Sequence, residues 1–108
     1  MPATATTIAL VATDATLTKA ECKRLAIMAN DGLSKSLRPV HAPNDGDTVF
    51  AAATGRAGRG GTPPVLTELG TVAADCLARA VARGVYEATA LPFANAVPDW
   101  KTKFGGGR

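Results

Sequence analysis

The apolar run Thr6-Thr7-Ile8-Ala9-Leu10-Val11-Ala12-Thr13-Asp14 constrains the fold more than any other stretch. It is short, rich in β-branched side chains and closed by a polar Asp14, which predicts a buried strand over 7–13. Two hydroxyls, those of Thr6 and Thr7, stand at its mouth. A hydroxyl at the start of a rigid strand is held in place, as a nucleophile must be. Threonine is equally an ordinary strand former, and such a pair fits a purely structural role as well.

Downstream, Thr18-Lys19-Ala20-Glu21 matches a capping box, with hydroxyl and carboxylate each satisfying a backbone amide at a helix start. Cys22, Ala26, Ala29, Leu33 and Leu37 then recur at three- and four-residue steps, predicting one amphipathic helix ending near Leu37, before Pro39. Gly32 within it costs about 1 kcal/mol relative to alanine unless close packing requires it. Asp45-Gly46-Asp47 is a tight-turn signal, and Thr48–Thr54 reads as a second strand. Gly55–Gly61 reads as a flexible glycine-rich loop. Thr62-Pro63-Pro64 is a helix-entry signal, a candidate cap followed by proline in the first turn, and the periodic apolar positions from Val65 carry that helix to near Thr89. Residues 92–108 have no clear period and read as an ordered turn with a frayed tail. The division is a lead segment over 1–5, an α/β domain over 6–91 and a carboxy-terminal tail over 92–108.

The order strand, helix, strand, helix predicts an α/β fold, a β-α-β-α unit with adjacent parallel strands and two long helices. The starts of both strands then share one end of the sheet. Thr6 and Thr7 would meet Asp45 and Asp47 there, although about forty positions separate them. Carboxylates near a hydroxyl or an amine can orient it or take its proton. They can also simply cap the amides of an Asp-Gly-Asp turn. A strand apolar on both faces calls for cover on both, and two strands leave two open edges. The unit is therefore expected to form part of a layered α/β sandwich completed by another chain.

Composition narrows the partners. The 46% apolar content suits a globular domain, but only 5% is aromatic, so the core is built from small side chains. A net charge of +3, without a basic stripe interleaved with aromatics, argues against nucleic acid. Cys22 and Cys76 fall on apolar helix faces and read as small buried thiols of a reducing compartment. No Cys or His spacing makes a metal site, and His41 alone cannot build one; no cofactor is expected. With neither a signal peptide nor an apolar run long enough to span a membrane, a cytoplasmic location is expected.

Several motifs recur in an order that resembles one family. They are Thr6–Ala15, Leu17–Ala20, Arg24–Ala29, Asp31-Gly32-Leu33, Arg38-Pro39-Val40-His41, Asp45–Ala51 and the helix from Leu66-Thr67-Glu68-Leu69-Gly70 through Ala88. Together they resemble the carboxy-terminal part of the DmpA-type aminopeptidases, which include β-peptidyl aminopeptidases and nylon-oligomer hydrolases. The resemblance implies an amide-bond hydrolase that processes itself into a large and a small chain. The new amino-terminal Ser or Thr of the small chain is the nucleophile, and Thr6 matches it. Its free α-amine would act as the base. Asp45 and Asp47 match two acids of the catalytic network in the nylon-oligomer hydrolases. The implied partners are a large subunit or further copies of the chain, with a peptide or oligoamide as substrate.

Two departures from that pattern stand out. Thr4 and Ala5 occupy the positions where the family has Gly-Asn before the cleaved bond. The chain also begins at Met1, so the Thr6 nitrogen lies in a peptide bond until 1–5 are removed. The alternative reading is a catalytically silent structural or interaction subunit of the same fold. A third reading, anion binding by Gly55–Gly61 before a helix, lacks the Gly-Lys-Ser/Thr ending of a phosphate loop.

Overall fold

The computed structural model describes residues 5–105. Residues 1–4 of the lead segment, Thr4 among them, and 106–108 of the tail lie outside the described residues. Strand β1 spans Ile8–Thr13 and β2 spans Thr48–Ala53, with helices α1 (Lys19–Ala29) and α2 (Asp31–Ser36) between them. Helices α3 (Pro63–Glu87) and α4 (Trp100–Phe104) follow. The strands pair in parallel as expected, with Ile8 opposite Thr48 and Thr13 opposite Ala53.

The capping box forms as read: the Glu21 N–H donates to Thr18 Oγ1 at 3.2 Å, and the Thr18 N–H donates to Glu21 Oε1 at 2.8 Å. The single helix expected to reach Leu37 is interrupted. Asn30 closes α1 and starts α2, and an Asn-Asp-Gly run is a poor helix former. The break re-aims the chain so that Gly32 comes against α3. A β-carbon at Gly32 would collide with the Ala74 carbonyl and lie 3.0 Å from Leu77 Cβ. That close approach is what Gly32 is needed for.

Leu25, Ala29 and Leu33 from the first helices meet Ala74 and Leu77 of α3 in a small, fully buried core. At Gly70 of α3 a β-carbon would run into the Met28 side chain. These small residues let the helices approach closely, which a core short of aromatics requires.

Both helical segments lie on one face of the sheet. Along each strand exposure alternates, and the opposite face is bare: Ile8 is 71% exposed, Leu10 65% and Phe50 56%. The described residues thus make one sheet layer and one helix layer. An apolar cleft of about 280 Å³ runs between β1 and α3, lined by Leu10, Val11, Leu25, Val72, Cys76 and Leu77.

Two further expectations are corrected. Cys76 is exposed and Cys22 only partly buried, because the apolar stripe of α3 is wider than the face that α1 and α2 cover. The glycine-rich loop is fastened rather than free: Thr16 donates to the Arg59 carbonyl at 2.6 Å, and Ala57 donates to the Asp14 carbonyl at 2.8 Å. Gly55 and Gly58 take the positive φ values of 74° and 69° that this path needs. Thr62 is the N-cap of α3, but its side chain makes no cap bond, and the prolines at the first two helical positions leave it one usual donor fewer.

The tail carries α4, which no periodicity announced. The Asp99 side chain caps it by accepting the Thr102 N–H at 2.7 Å. Trp100 packs on Tyr86 of α3 with ring centroids 5.6 Å apart.

Candidate active site

The parallel pairing extends beyond the regular strands to their mouths. Ala5 bridges Asp45, the Gly46 N–H donates to the Ala5 carbonyl at 2.8 Å, and the Thr48 N–H donates to the Thr7 carbonyl at 2.8 Å. Keeping this register sets Thr6 opposite Gly46 and Thr7 opposite Asp47. The two segments that the sequence places together are indeed neighbours.

Asp47 is the centre of the cluster. Its Oδ1 accepts the Thr7 backbone N–H at 3.0 Å, and its Oδ2 lies 3.1 Å from His41 Nδ1. The Asp47 side chain is only 6% exposed, whereas that of His41 is 43% exposed. Asp45 does a different job. Its Oδ2 accepts the Ala42 N–H at 2.8 Å while its own N–H donates to the Ala42 carbonyl at 2.9 Å, closing the turn before β2.

Thr6 sits on the other side of the pleat. Exposure alternates through both mouths: Thr6, Gly46, Ile8 and Thr48 are exposed, while Thr7, Asp45 and Asp47 are partly covered. A β-carbon at Gly46 would lie 3.0 Å from Thr6 Oγ1, which puts the hydroxyl over Gly46 on the bare face of the sheet. The glycine between the two acids therefore leaves room for the Thr6 hydroxyl. Among the described residues, neither carboxylate accepts a hydrogen bond from that hydroxyl.

The structure brings Thr6, Asp45 and Asp47 to one end of the sheet but divides them between its faces. A period of two dictates this, since facing residues of a parallel pair share a face and the next pair takes the other. Asp47 touches the backbone N–H of Thr7, not the Thr6 hydroxyl. His41 enters the cluster although the sequence offered it only as an unpaired imidazole. Its signal was its place six residues before Asp47, at the far end of a Pro- and Gly-containing turn. Among the described residues no group of three or more His, Cys, Asp or Glu could hold a metal ion, and no helix is long and apolar enough to cross a membrane.

The site is thus a parallel β-α-β-α unit with a threonine hydroxyl over a glycine at the sheet's mouth and a largely covered carboxylate on the amide of the next residue. Comparison with known proteins gives its family. The sequence profile described as Peptidase family S58 matches residues 2–97, and the chain belongs to that family. It is similar to an uncharacterized aminopeptidase of Mycobacterium tuberculosis, 47% identical over 111 residues that cover 94% of this chain and 31% of the relative. It is also similar to an uncharacterized aminopeptidase of Mycobacterium leprae, 48% identical over 96 residues, with 80% and 26% covered. The chain spans about a third of the length of these curated relatives or less.

Proposed function

We propose that this chain is the nucleophile-bearing small part of an amide hydrolase, an aminopeptidase or oligoamide hydrolase that uses Thr6. The observation that carries the reading is the Thr6 hydroxyl held over Gly46 on an open face, with Asp47 tying the adjacent Thr7 amide. Membership of a peptidase family and likeness to proteins named aminopeptidases support it.

Removal of residues 1–5 frees the Thr6 α-amine, whose ordinary pKa of about 8 suits a base near neutral pH. The amine takes the Oγ1 proton as Oγ1 attacks the substrate carbonyl carbon, and the carbonyl oxygen takes up the negative charge. Collapse of that adduct breaks the C–N bond. The ammonium returns the proton to the leaving amine, and an ester on Thr6 remains. Water then attacks the ester as the amine accepts its proton; the adduct collapses, the C–Oγ1 bond breaks, the ammonium returns the proton to Oγ1 and the acid product leaves. Asp45 and Asp47 hold the turn and the strand mouth in register, and their negative charge favours the protonated amine.

The bare face of Ile8, Leu10 and Phe50 is where a further layer belongs in this reading. A large chain, or further copies of this one, would cover it and complete a layered α/β sandwich. The substrate is a peptide or oligoamide. The free thiols Cys22 and Cys76 suit a cytoplasmic protein.

A second reading, a catalytically silent structural subunit, draws on a specific observation: both carboxylates are engaged with backbone amides on the face opposite the Thr6 hydroxyl. Thr6→Ala separates the two. Loss of all amide hydrolysis with assembly intact supports the hydrolase. Unchanged turnover in that variant sinks Thr6 as nucleophile, and a wild-type assembly that cleaves no amide favours the silent subunit.

A further inference from the structure

We infer that His41 is a positioning residue for the Thr6 nucleophile, acting through Asp47; this rests on the amide-hydrolase reading above. Asp47 is nearly buried, and a buried carboxylate is tolerated only when its lone pairs and its charge are answered. One oxygen is answered by the Thr7 N–H. The other faces His41 Nδ1 at 3.1 Å, and among the described residues no Lys or Arg pairs with Asp47.

The imidazole reaches Asp47 by an unusual path. His41 has φ of 56°, in the left-handed region that non-glycine residues adopt only when their surroundings hold them there. The hold comes from next door, where Asp45 ties Ala42 through both its side chain and its backbone. Asp45 therefore fixes the loop, the loop fixes His41, His41 fixes Asp47, and Asp47 fixes the amide of the residue after Thr6. Among the described residues His41 pairs with Asp47, while Asp45 binds the amide of the next residue, Ala42.

Asp45 and Asp47 thus hold distinct positions on one face of the strand mouth, and the Thr6 hydroxyl stands on the other. Small displacements of a reacting atom are costly, with about 100-fold lost for roughly 1 Å. Loosening Asp47 is therefore expected to slow the chemical step while leaving the binding surface alone.

The test uses the active protein as purified, with every chain it assembles with, as wild type, His41→Ala and His41→Asn, the last keeping an N–H close to the position of Nδ1. Two readouts are taken: kcat and KM for hydrolysis of an amino-acid p-nitroanilide, and hydrogen exchange at the Thr7 amide. His41→Ala is expected to lower kcat by about tenfold or more with KM changed less than about twofold, and to speed Thr7 exchange. His41→Asn is expected to recover most of both. Unchanged kcat and unchanged Thr7 exchange in His41→Ala overturn the proposal, as does a His41→Asn variant no better than His41→Ala. If wild type hydrolyses no amide, the enzymatic reading fails by itself. Thr7 exchange then still decides whether His41 holds the strand mouth.

Discussion

Asp47 Oδ1 accepts the backbone N–H of Thr7 at 3.0 Å across forty residues of sequence, fastening the mouth of β1 to that of β2. Removing the carboxylate leaves the Thr7 amide without its partner. An unsatisfied, partly buried donor costs about 1–3 kcal/mol. Asp47→Ala is expected to lower stability by that amount in urea denaturation, and Asp47→Asn, which keeps a carbonyl acceptor, by less. Equal losses in the two variants would mean that the hydrogen bond to Thr7 is not what Asp47 contributes.

Gly32 and Gly70 are both close-approach points, but their neighbours differ. At Gly32 an added β-carbon meets backbone, the Ala74 carbonyl and the Ala78 N–H, which cannot move aside without shifting α3. At Gly70 it meets the flexible thioether end of Met28 and, at 2.8 Å, the less mobile Met28 Cβ. Overpacking costs about 1–3 kcal/mol, and replacing a helical glycine by alanine returns about 1 kcal/mol of helix propensity. Gly32→Ala is therefore expected to destabilise clearly, and Gly70→Ala to destabilise less, since the Met28 thioether can rotate away and only its Cβ has to shift. Thermal melts of the two variants check the order.

Leu33 is fully buried between α2 and α3, at 0% exposure. Leu33→Ala is expected to cost about 2–5 kcal/mol, because the backbone on both sides is already packed too closely to collapse into the space. Chemical denaturation measures it, and a loss well below this range would show that the helices can close the gap.

Asp99 caps α4, and its carboxyl is held down to about 2 by the Thr102 side chain and then by the Ala90 and Thr102 backbone N–H groups. A depressed folded-state pKa means the stabilisation is fully present above the unfolded value near 3.8 and is lost as the pH falls through about 2. Emission from Trp100, the single tryptophan, is expected to report undocking of α4 from Tyr86 between those values. Asp99→Asn should abolish that acid transition. A transition that survives the substitution would assign it to another group.

The bare sheet face yields a prediction about assembly. Ile8, Leu10 and Phe50 form a row of exposed apolar side chains on adjacent strands. Replacing Leu10 and Phe50 by serine in the full-length protein should weaken association with the covering layer while the helical core stays folded. Light scattering reads the first and circular dichroism the second. An unchanged mass distribution would mean that this face is not an interface.

Much of the fold was legible in sequence because local signals and global topology agree. The β-branched run, the capping box and the proline-led third helix each specify one element, and strand-helix-strand order fixes a parallel pair. The sequence also brought Thr6, Asp45 and Asp47 to one end of the sheet. What it did not resolve was the pleat. A register offset of even length puts Thr6 with Gly46 and leaves the acids on the other face, a detail that depends on where pairing starts. The break at Asn30 was hidden because the apolar period continues through it, and only the contact of Gly32 with α3 explains the new direction. Helix α4 is a single short turn whose stability lies in an Asp99 cap and aromatic contacts with Tyr86, neither of which leaves a periodic trace. His41 was missed for a related reason: its role depends on a left-handed backbone and a neighbouring turn.

Thr6 as an amino-terminal nucleophile is tested by the intact mass, with peptide mapping, of the catalytically active chain trapped with a slow amide or ester substrate. The expected chain begins at Thr6 and carries the acyl group on that residue. An active chain whose Thr6 nitrogen remains in a peptide bond, or an acyl group mapped to any other residue, would contradict it.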